Sequence, residues 1–335
     1  MTRILQDNSK KYILDKFLGE GATCKCFLGY KVDSQPENRE LFAIKIYSPK
    51  FYQYYINEVE ILSKLSSNEN IIKLYDNGEG YILDINQELN TNDNNPDIIK
   101  KDKGKIYYEI MEYAENGELK DFVQGTSTRL PEKISAKIFM NLVLTVQYLH
   151  ENNIAHCDIK PENILMNTNY RPLLSDFGFS QFFSGEKGDY TLHKFSGSDF
   201  YCAPETRKAY VRGFDGIKND IFSLGVLLFA ITIGDFPFHK ASFSDDRYRF
   251  IIKKNYERFW EYFNDIEISE EFQDLINNLI CITPSQRLNI KQILEHPWLK
   301  KYITDINSGK DNKNTEMKNN YVDEEVINEF KSRKI

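Results

Sequence analysis

Along residues 11–32 apolar and polar positions alternate around a glycine-containing turn, and a second alternating run, Glu-Leu-Phe-Ala-Ile-Lys-Ile-Tyr, fills 40–47. Period-two patterning buries one face of a strand, so an antiparallel sheet is predicted near the N-terminus. From 57 to 65, Val59, Ile61, Leu62 and Leu65 fall close to helical spacing before a Ser-Ser-Asn-Glu-Asn break. One helix is therefore predicted inside the strand-rich region. Strand-like runs at 71–75 and 105–113 flank a segment holding Asn90-Thr-Asn-Asp-Asn-Asn-Pro and Lys100-Lys-Asp-Lys-Gly. So polar a stretch has little apolar surface to bury and predicts a solvated insertion at about 88–104.

After Gly117 the period changes. Residues 131–152, 219–234, 270–281 and 289–295 carry apolar residues at helical spacing, which predicts a mainly helical second region. Beyond about Thr304 the chain turns polar, with a short helix predicted at 322–331. That tail is acidic and then basic, unlike the basic amphipathic helix that calmodulin grips. The sequence contains no solenoid repeat and no EF-hand pattern.

Composition narrows the function classes. The 335 residues are 41% apolar and carry a net charge of −7 with both signs interspersed. That suffices for one large or two-lobed core and supplies no cationic field for nucleic acid or anionic lipid. The five cysteines, Cys24, Cys26, Cys157, Cys202 and Cys281, include no Cys-x-x-Cys pair, which argues against a disulfide framework or a zinc site and for reduced thiols. The opening Met-Thr-Arg-Ile does not resemble a secretion leader. The longest apolar run, Ile221 to Ile233, is broken by Ser223 and Gly225 and is expected to be a buried helix rather than a membrane span.

Between the first two predicted strands lies Leu18-Gly19-Glu20-Gly21-Ala22-Thr23-Cys24-Lys25-Cys26. Small residues there let backbone amides approach a triphosphate. One strand later, in Phe42-Ala43-Ile44-Lys45, Lys45 is placed to hold the α- and β-phosphates, and Glu58 on the following helix is its expected counter-ion, with Glu60 as competitor. Further on, His156-Cys157-Asp158-Ile159-Lys160-Pro161-Glu162-Asn163 sets a carboxylate, a lysine and an amide within six residues, and Asp176-Phe177-Gly178 follows. Phosphoryl transfer passes through a loose transition state, so catalysis is mostly positioning and charge neutralisation. Asp158 suits acceptance of a substrate hydroxyl proton, Lys160 suits the transferred phosphoryl, and Asn163 with Asp176 suits a magnesium ion.

In this order the motifs resemble the signature set of eukaryotic protein kinases, over about Tyr12 to Leu299. The resemblance implies an α+β, bilobal fold: a small antiparallel β lobe with one main helix at about 12–112, and a larger, mostly helical lobe at about 117–299. Residues 1–11 would be an N-terminal extension and 300–335 a polar tail. It implies a hinge at Met111-Glu112-Tyr113-Ala114, with Met111 as gatekeeper and the backbone of Glu112 and Ala114 meeting adenine. Leu18, Cys26, Ala43 and Leu165 would enclose the ring. Glu118 is placed near the nucleotide as well, and with Glu162 it matches positions that grip an arginine three residues before the phosphoacceptor. Ala230 stands where some relatives carry a further glutamate. Ala203-Pro204-Glu205 would close the activation segment, Glu205 would pair with Arg287, and Asp220 would anchor the catalytic loop.

The implied cofactors are ATP and Mg2+, with Mn2+ as a substitute. The implied partners are protein substrates met by a monomer, in the cytoplasm or alternatively the nucleus. Lys160, and Ser198 at the hydroxyl position that contacts the catalytic aspartate, match serine/threonine rather than tyrosine kinases. His296-Pro297-Trp298-Leu299 and the general motif style resemble the calcium/calmodulin-dependent group.

Four positions depart from the pattern. Cys24 replaces the third glycine of the phosphate loop, and Cys26 the usual valine. Cys157 replaces the arginine that, in many relatives, pairs with a phosphate on the activation loop, while Lys194 falls where the phosphothreonine would lie. The expectation is an activation loop ordered without that switch, leaving Tyr190, Thr191 and Ser196 as other modification candidates. A nucleotide-binding pseudokinase scaffold is the alternative that these cysteines support.

Overall fold

The computed structural model describes residues 2–7, 9–85, 104–123, 129–184, 186, 189–195, 197–303 and 323–333. The insertion expected at about 88–104 lies, Gly104 apart, outside these residues, as do Ser196 and most of the polar tail. The chain divides into two compact units, Met1–Ser66 with Ile72–Ala114, and Ser67–Ile71 with Glu115–Ile335.

The first unit is a closed antiparallel barrel of six strands in the order β1-β2-β3-β4-β6-β5. The strands are β1 (Thr2–Gln6), β2 (Lys11–Glu20), β3 (Cys24–Lys31), β4 (Phe42–Tyr47), β5 (Leu74–Ile85) and β6 (Ile106–Glu112). Alternation along them does what period two requires. Phe42, Ile44 and Ile46 of β4 pack with Ile106, Tyr108 and Ile110 of β6, Leu5, Tyr12, Leu14 and Phe27 to form the barrel core, and the intervening residues face outward.

Two strands differ from the sequence expectation. Residues 1–11, expected to precede the domain, supply β1, which pairs with both β2 and β5. The strand expected at 71–75 begins at Leu74 and continues to Ile85, through an Asp-Asn-Gly-Glu-Gly run that reads as a turn. Close approach explains the second glycine of that run: a Cβ at Gly80 would lie 2.6 Å from the Gln6 carbonyl of β1.

Helix α1 (Tyr52–Lys64) buries Tyr55, Glu58, Ile61 and Leu62 along one stripe. It starts five residues before the expected position. Pro49 opens a 3-10 turn that runs directly into it, and Tyr52 and Tyr55 lack the plain apolar signature that marks a helical face.

In the second unit the helices are α2 (Lys120–Val123), α3 (Glu132–Glu151), α4 (Ala209–Arg212), α5 (Gly216–Ile233), α6 (Asp246–Ile252), α7 (Tyr256–Trp260), α8 (Glu270–Leu279), α9 (Ile290–Leu294), α10 (Pro297–Ile303) and α11 (Glu324–Arg333). The short strands are β7 (Ile154–Ala155), β8 (Ile164–Met166), β9 (Pro172–Leu174), β10 (Gln181–Phe182), β11 (Thr191–Leu192) and β12 (Phe214–Asp215). Helix α5 is apolar on nearly every face and is the core post, with α3 and α8 packed on it. Among the described residues it alone has the length and hydropathy of a membrane span, and 83% of it is buried inside the protein. Asp215 caps its start by accepting from the Lys218 amide, and Gly234, at φ 81°, ends it in the left-handed conformation that relieves glycine of any Cβ penalty. Glu132 ties three helices together, accepting from the Ser269 amide and hydroxyl at 2.8 and 2.6 Å and from the Trp298 indole at 2.6 Å.

Candidate active site

The first unit holds the phosphate-loop and lysine parts of the motif set. At the β2–β3 hairpin, Gly21 N–H donates to the Cys24 carbonyl at 2.9 Å. A Cβ at Gly19 would meet nothing within 4 Å, and one at Gly21 only the Cys24 carbonyl at 3.9 Å. The fold itself therefore has room for side chains at these two glycines. Packing does not require glycine at either position, and the bare backbone leaves room for the triphosphate expected at this hairpin. Leu18, Cys26, Ala43, Met111, Glu112 and Ala114 belong to the same unit. Cys26 pairs with Lys45, and Ala43 with Met111, in the β3–β4 and β4–β6 registers.

Lys45 Nζ donates to Glu58 Oε1 at 2.7 Å, and Glu58 is 1% exposed, whereas Glu60 faces solvent. Of the two candidate counter-ions, Glu58 is the one the helix aims at the lysine. Sequence reading missed Tyr47, whose phenol donates to Glu58 Oε2 at 2.8 Å and lies 3.2 Å from Glu109 Oε2. The signal was available: positions 45 and 47 share a strand face, and Glu109 is directly opposite Lys45 in register.

The second unit holds the catalytic-loop part. Asp220, fully buried in α5, accepts from the amides of His156 and Cys157 at 2.8 and 2.9 Å, and His150 Nε2 sits 3.0 Å from the same carboxylate. His156 Nδ1 accepts from the Asp158 amide at 3.3 Å, so its proton is on Nε2, which donates to the Ser175 carbonyl at 3.1 Å. The backbone leading into Asp158 is thus fixed from within the core.

The Asp158 carboxylate is 2% exposed and fully engaged. Lys160 Nζ reaches Oδ2 at 2.7 Å, Asn163 Nδ2 reaches Oδ2 at 3.0 Å, and the Ser198 amide reaches Oδ1 at 2.8 Å. Ser198 was expected to contact the aspartate through its hydroxyl. Instead its amide does so, while its Oγ accepts from Lys160 Nζ at 2.8 Å. An ammonium has three donors to distribute and bridges the two groups.

Asn163 Nδ2 also donates to the Asp158 carbonyl at 2.8 Å. With the amide nitrogen spent in this way, Oδ1 is the atom turned to any cation. An amide oxygen with the Asp176 carboxylate is the hard-oxygen donor set that Mg2+ selects. Asp176 itself takes a positive φ of 63°, a conformation that non-glycine residues keep only where the surroundings impose it.

Leu165 and Glu118 also lie in this unit, joined by an isolated antiparallel bridge. Glu118 Oε2 lies 2.7 Å from Lys120 Nζ, and both Glu118 Oε2 and Glu162 Oε2 are buried without a hydrogen bond of good geometry among the described residues. Farther from the catalytic loop, Arg287 grips Glu205 with two parallel bonds of 2.6 and 2.9 Å, is 2% exposed, and stacks over Phe222.

Cys157 is 2% exposed with φ 65°. Burial, with the Asp220 and Asp158 carboxylates behind it, pushes its thiol well above the ordinary range. It belongs to an apolar cluster with Ala155, Phe183, Leu192, Ala209 and Phe214, against which Tyr190, Phe195 and Ile217 pack. Gln181, a second residue that sequence reading missed, donates through Nε2 to the Lys194 carbonyl at 2.7 Å. Leu192 pairs with Phe214 across β11–β12.

A family profile described as "Protein kinase domain" matches residues 12–299. Among curated proteins, "CBL-interacting protein kinase 5" of Oryza sativa is 37% identical over 59% of this chain and 41% of its own length. "Serine/threonine-protein kinase GIN4" of Saccharomyces cerevisiae is 31% identical over 76% of this chain and 20% of its own. "CBL-interacting serine/threonine-protein kinase 5" of Arabidopsis thaliana is 30% identical over 88% of this chain and 59% of its own. The chain spans between 20% and 59% of the length of these three relatives.

Proposed function

This chain belongs to the eukaryotic protein kinase family, and from that premise we propose that it transfers the γ-phosphate of ATP to serine or threonine hydroxyls of protein substrates. The observation that carries the reading is the Asp158 carboxylate, held by Lys160, Asn163 and the Ser198 amide on a loop pinned to α5. A carboxylate so oriented accepts the proton of an attacking hydroxyl, and Lys160 beside it stabilises the charge of the group in transit. Lys45, kept extended by Glu58, holds the phosphates, and the Gly19–Gly21 hairpin approaches them with backbone amides. Mg2+, when bound, neutralises phosphate charge; Asn163 Oδ1 and Asp176 would hold it.

The activation segment is proposed to be ordered without a phosphate. Where an arginine and a phosphothreonine would pair, there are Cys157 in an apolar cluster and a Gln181–Lys194 contact. Packing of Phe195 on Phe214, with ring centroids 5.8 Å apart, does without charge what an ion pair does elsewhere. A preference for arginine upstream of the acceptor is assigned to Glu118 and Glu162, each with a buried carboxylate oxygen that makes no hydrogen bond of good geometry among the described residues.

Phosphatase-treated wild type and Asp158→Asn, each incubated with Mg-ATP and a positional serine/threonine peptide library, test the reading. The wild type phosphorylates without prior activation and favours arginine three residues upstream, while the variant falls by about two orders of magnitude or more, the usual worth of a general base. Equal signals from the two proteins would return the chain to the scaffold reading. Activity that emerged only after phosphorylation within 189–203 would overturn the switch-free segment.

A further inference from the structure

The face of the barrel that α1 covers is not an ordinary apolar seam. Ala43, Lys45 and Tyr47 alternate outward from β4, and Tyr107, Glu109 and Met111 outward from β6, while their neighbours fill the barrel core. The helix answers with Tyr52, Tyr55 and Glu58. Tyr47 and Tyr55 lie with ring centroids 5.7 Å apart, and Tyr55 stacks on Tyr107 at 5.2 Å. Two phenols then cross the seam in opposite directions. Tyr47 reaches from the sheet to Glu58 Oε2 at 2.8 Å, and Tyr55 reaches from the helix to Asn77 Oδ1 at 3.1 Å. Burial, then the Glu109 carboxylate, pushes the Tyr55 phenol up to about 12, so this group stays a donor across the physiological range.

We infer that Tyr47 is a positioning residue for the Lys45–Glu58 pair, its phenol fixing the rotation of α1 so that Glu58 presents Oε1 to the lysine. Glu58 has two oxygens and uses both within this unit, Oε1 for Lys45 and Oε2 for Tyr47. Tyr47 is fully buried, as is Glu109, whose Oε2 lies 3.2 Å from the phenol as an alternative acceptor for its single proton. A hydrogen bond to a buried carboxylate is of the strong, charge-assisted kind. Rotation of α1 would break Tyr47–Glu58, Tyr55–Asn77 and Lys45–Glu58 together. The helix therefore has one well-defined seat on the sheet.

The inference rests on the phosphotransferase reading for its effect on rate, though not for its effect on α1. Tyr47→Phe keeps the ring and its packing and deletes only the oxygen. In this variant amide hydrogen exchange across 52–64 accelerates about tenfold while α5 exchanges as before, and kcat/KM for ATP falls about tenfold, the scale on which small misplacements of reacting groups act. In a Glu58→Ala background, where Tyr47 has lost its acceptor on α1 and retains Glu109 Oε2 on its own sheet, the same substitution changes α1 exchange and rate no further. Exchange and rate equal to wild type in Tyr47→Phe, or losses that multiply independently with Glu58→Ala, would overturn the inference. An inert wild type would sink the phosphotransferase reading, and α1 exchange would still decide on Tyr47.

Discussion

Cys157 occupies a position where φ is 65° and the side chain is 2% exposed, next to Asp158 and inside an apolar cluster. A thiol whose thiolate is disfavoured by burial and by two neighbouring carboxylates is a poor nucleophile, because the thiolate is the reactive form. In the folded protein at pH 7.5 or so, iodoacetamide should leave Cys157 unmodified and label Cys24 or Cys26, which are partly exposed; mass spectrometry of the digested protein reads this directly. Labelling of Cys157 at the rate of those two would show that the cluster opens. At this scale the sequence was most legible where chemistry lies in one short run: Asp158, Lys160 and Asn163 meet because a single loop carries them. Tyr47 and Gln181 were not legible, since each matters through a partner that only folding brings near, Glu58 eleven residues on and the Lys194 carbonyl thirteen residues on.

Helix α11 shows what an element can hide. A short helix at 322–331 is legible from the pattern, but its docking place is not. Phe330, fully buried, packs edge-on against Phe122 of α2 at 4.7 Å and parallel to Tyr170 at 5.7 Å. Lys137 of α3 bonds Asp323 at 2.9 Å and Glu325 at 2.6 Å. Phe330→Ala removes a side chain whose burial is typically worth about 3–5 kcal/mol. It should abolish exchange protection across 324–333 and raise exchange in 120–123, while α5 stays protected.

The charges set a pH window for the same contact. Bonds to Lys133 and then Lys137 hold the Glu325 carboxyl below its ordinary value of 4.5. Its contribution is therefore complete above that value and is lost as pH falls through the lower, folded one. For Lys137, burial opposes the charge, but the bonds to Asp323 and Glu325 outweigh it and raise the group above 10.5. That contribution is complete below 10.5 and fades only as pH rises beyond. Exchange protection of α11 should be flat from about pH 5 to 10 and fall first on the acid side; loss centred near neutrality would contradict this account. Elements with a clean period, α3 and α5 among them, were legible to within about three residues. β5 and the start of α1 were not, because glycines and tyrosines disguise their periods.

For the molecule as a whole, the least expected feature is the place of the first residues. Strand β1 lies between β2 and β5, in register with Tyr12 on one side and Ile82 on the other through Leu5. Asp7 just beyond it accepts from the Tyr108 phenol. A chain lacking residues 1–6 would leave β2 and β5 with unpaired amides and carbonyls, the template on which strands of separate molecules join. Light scattering of that shortened protein should rise with concentration faster than that of the full chain, and identical curves would count against it. With β1 in place, every strand has two neighbours and the barrel offers no free edge. A protein that recognises its targets by adding a strand to a sheet finds nothing to extend in this barrel, so whatever docks on the described residues of the first unit must grip side chains instead.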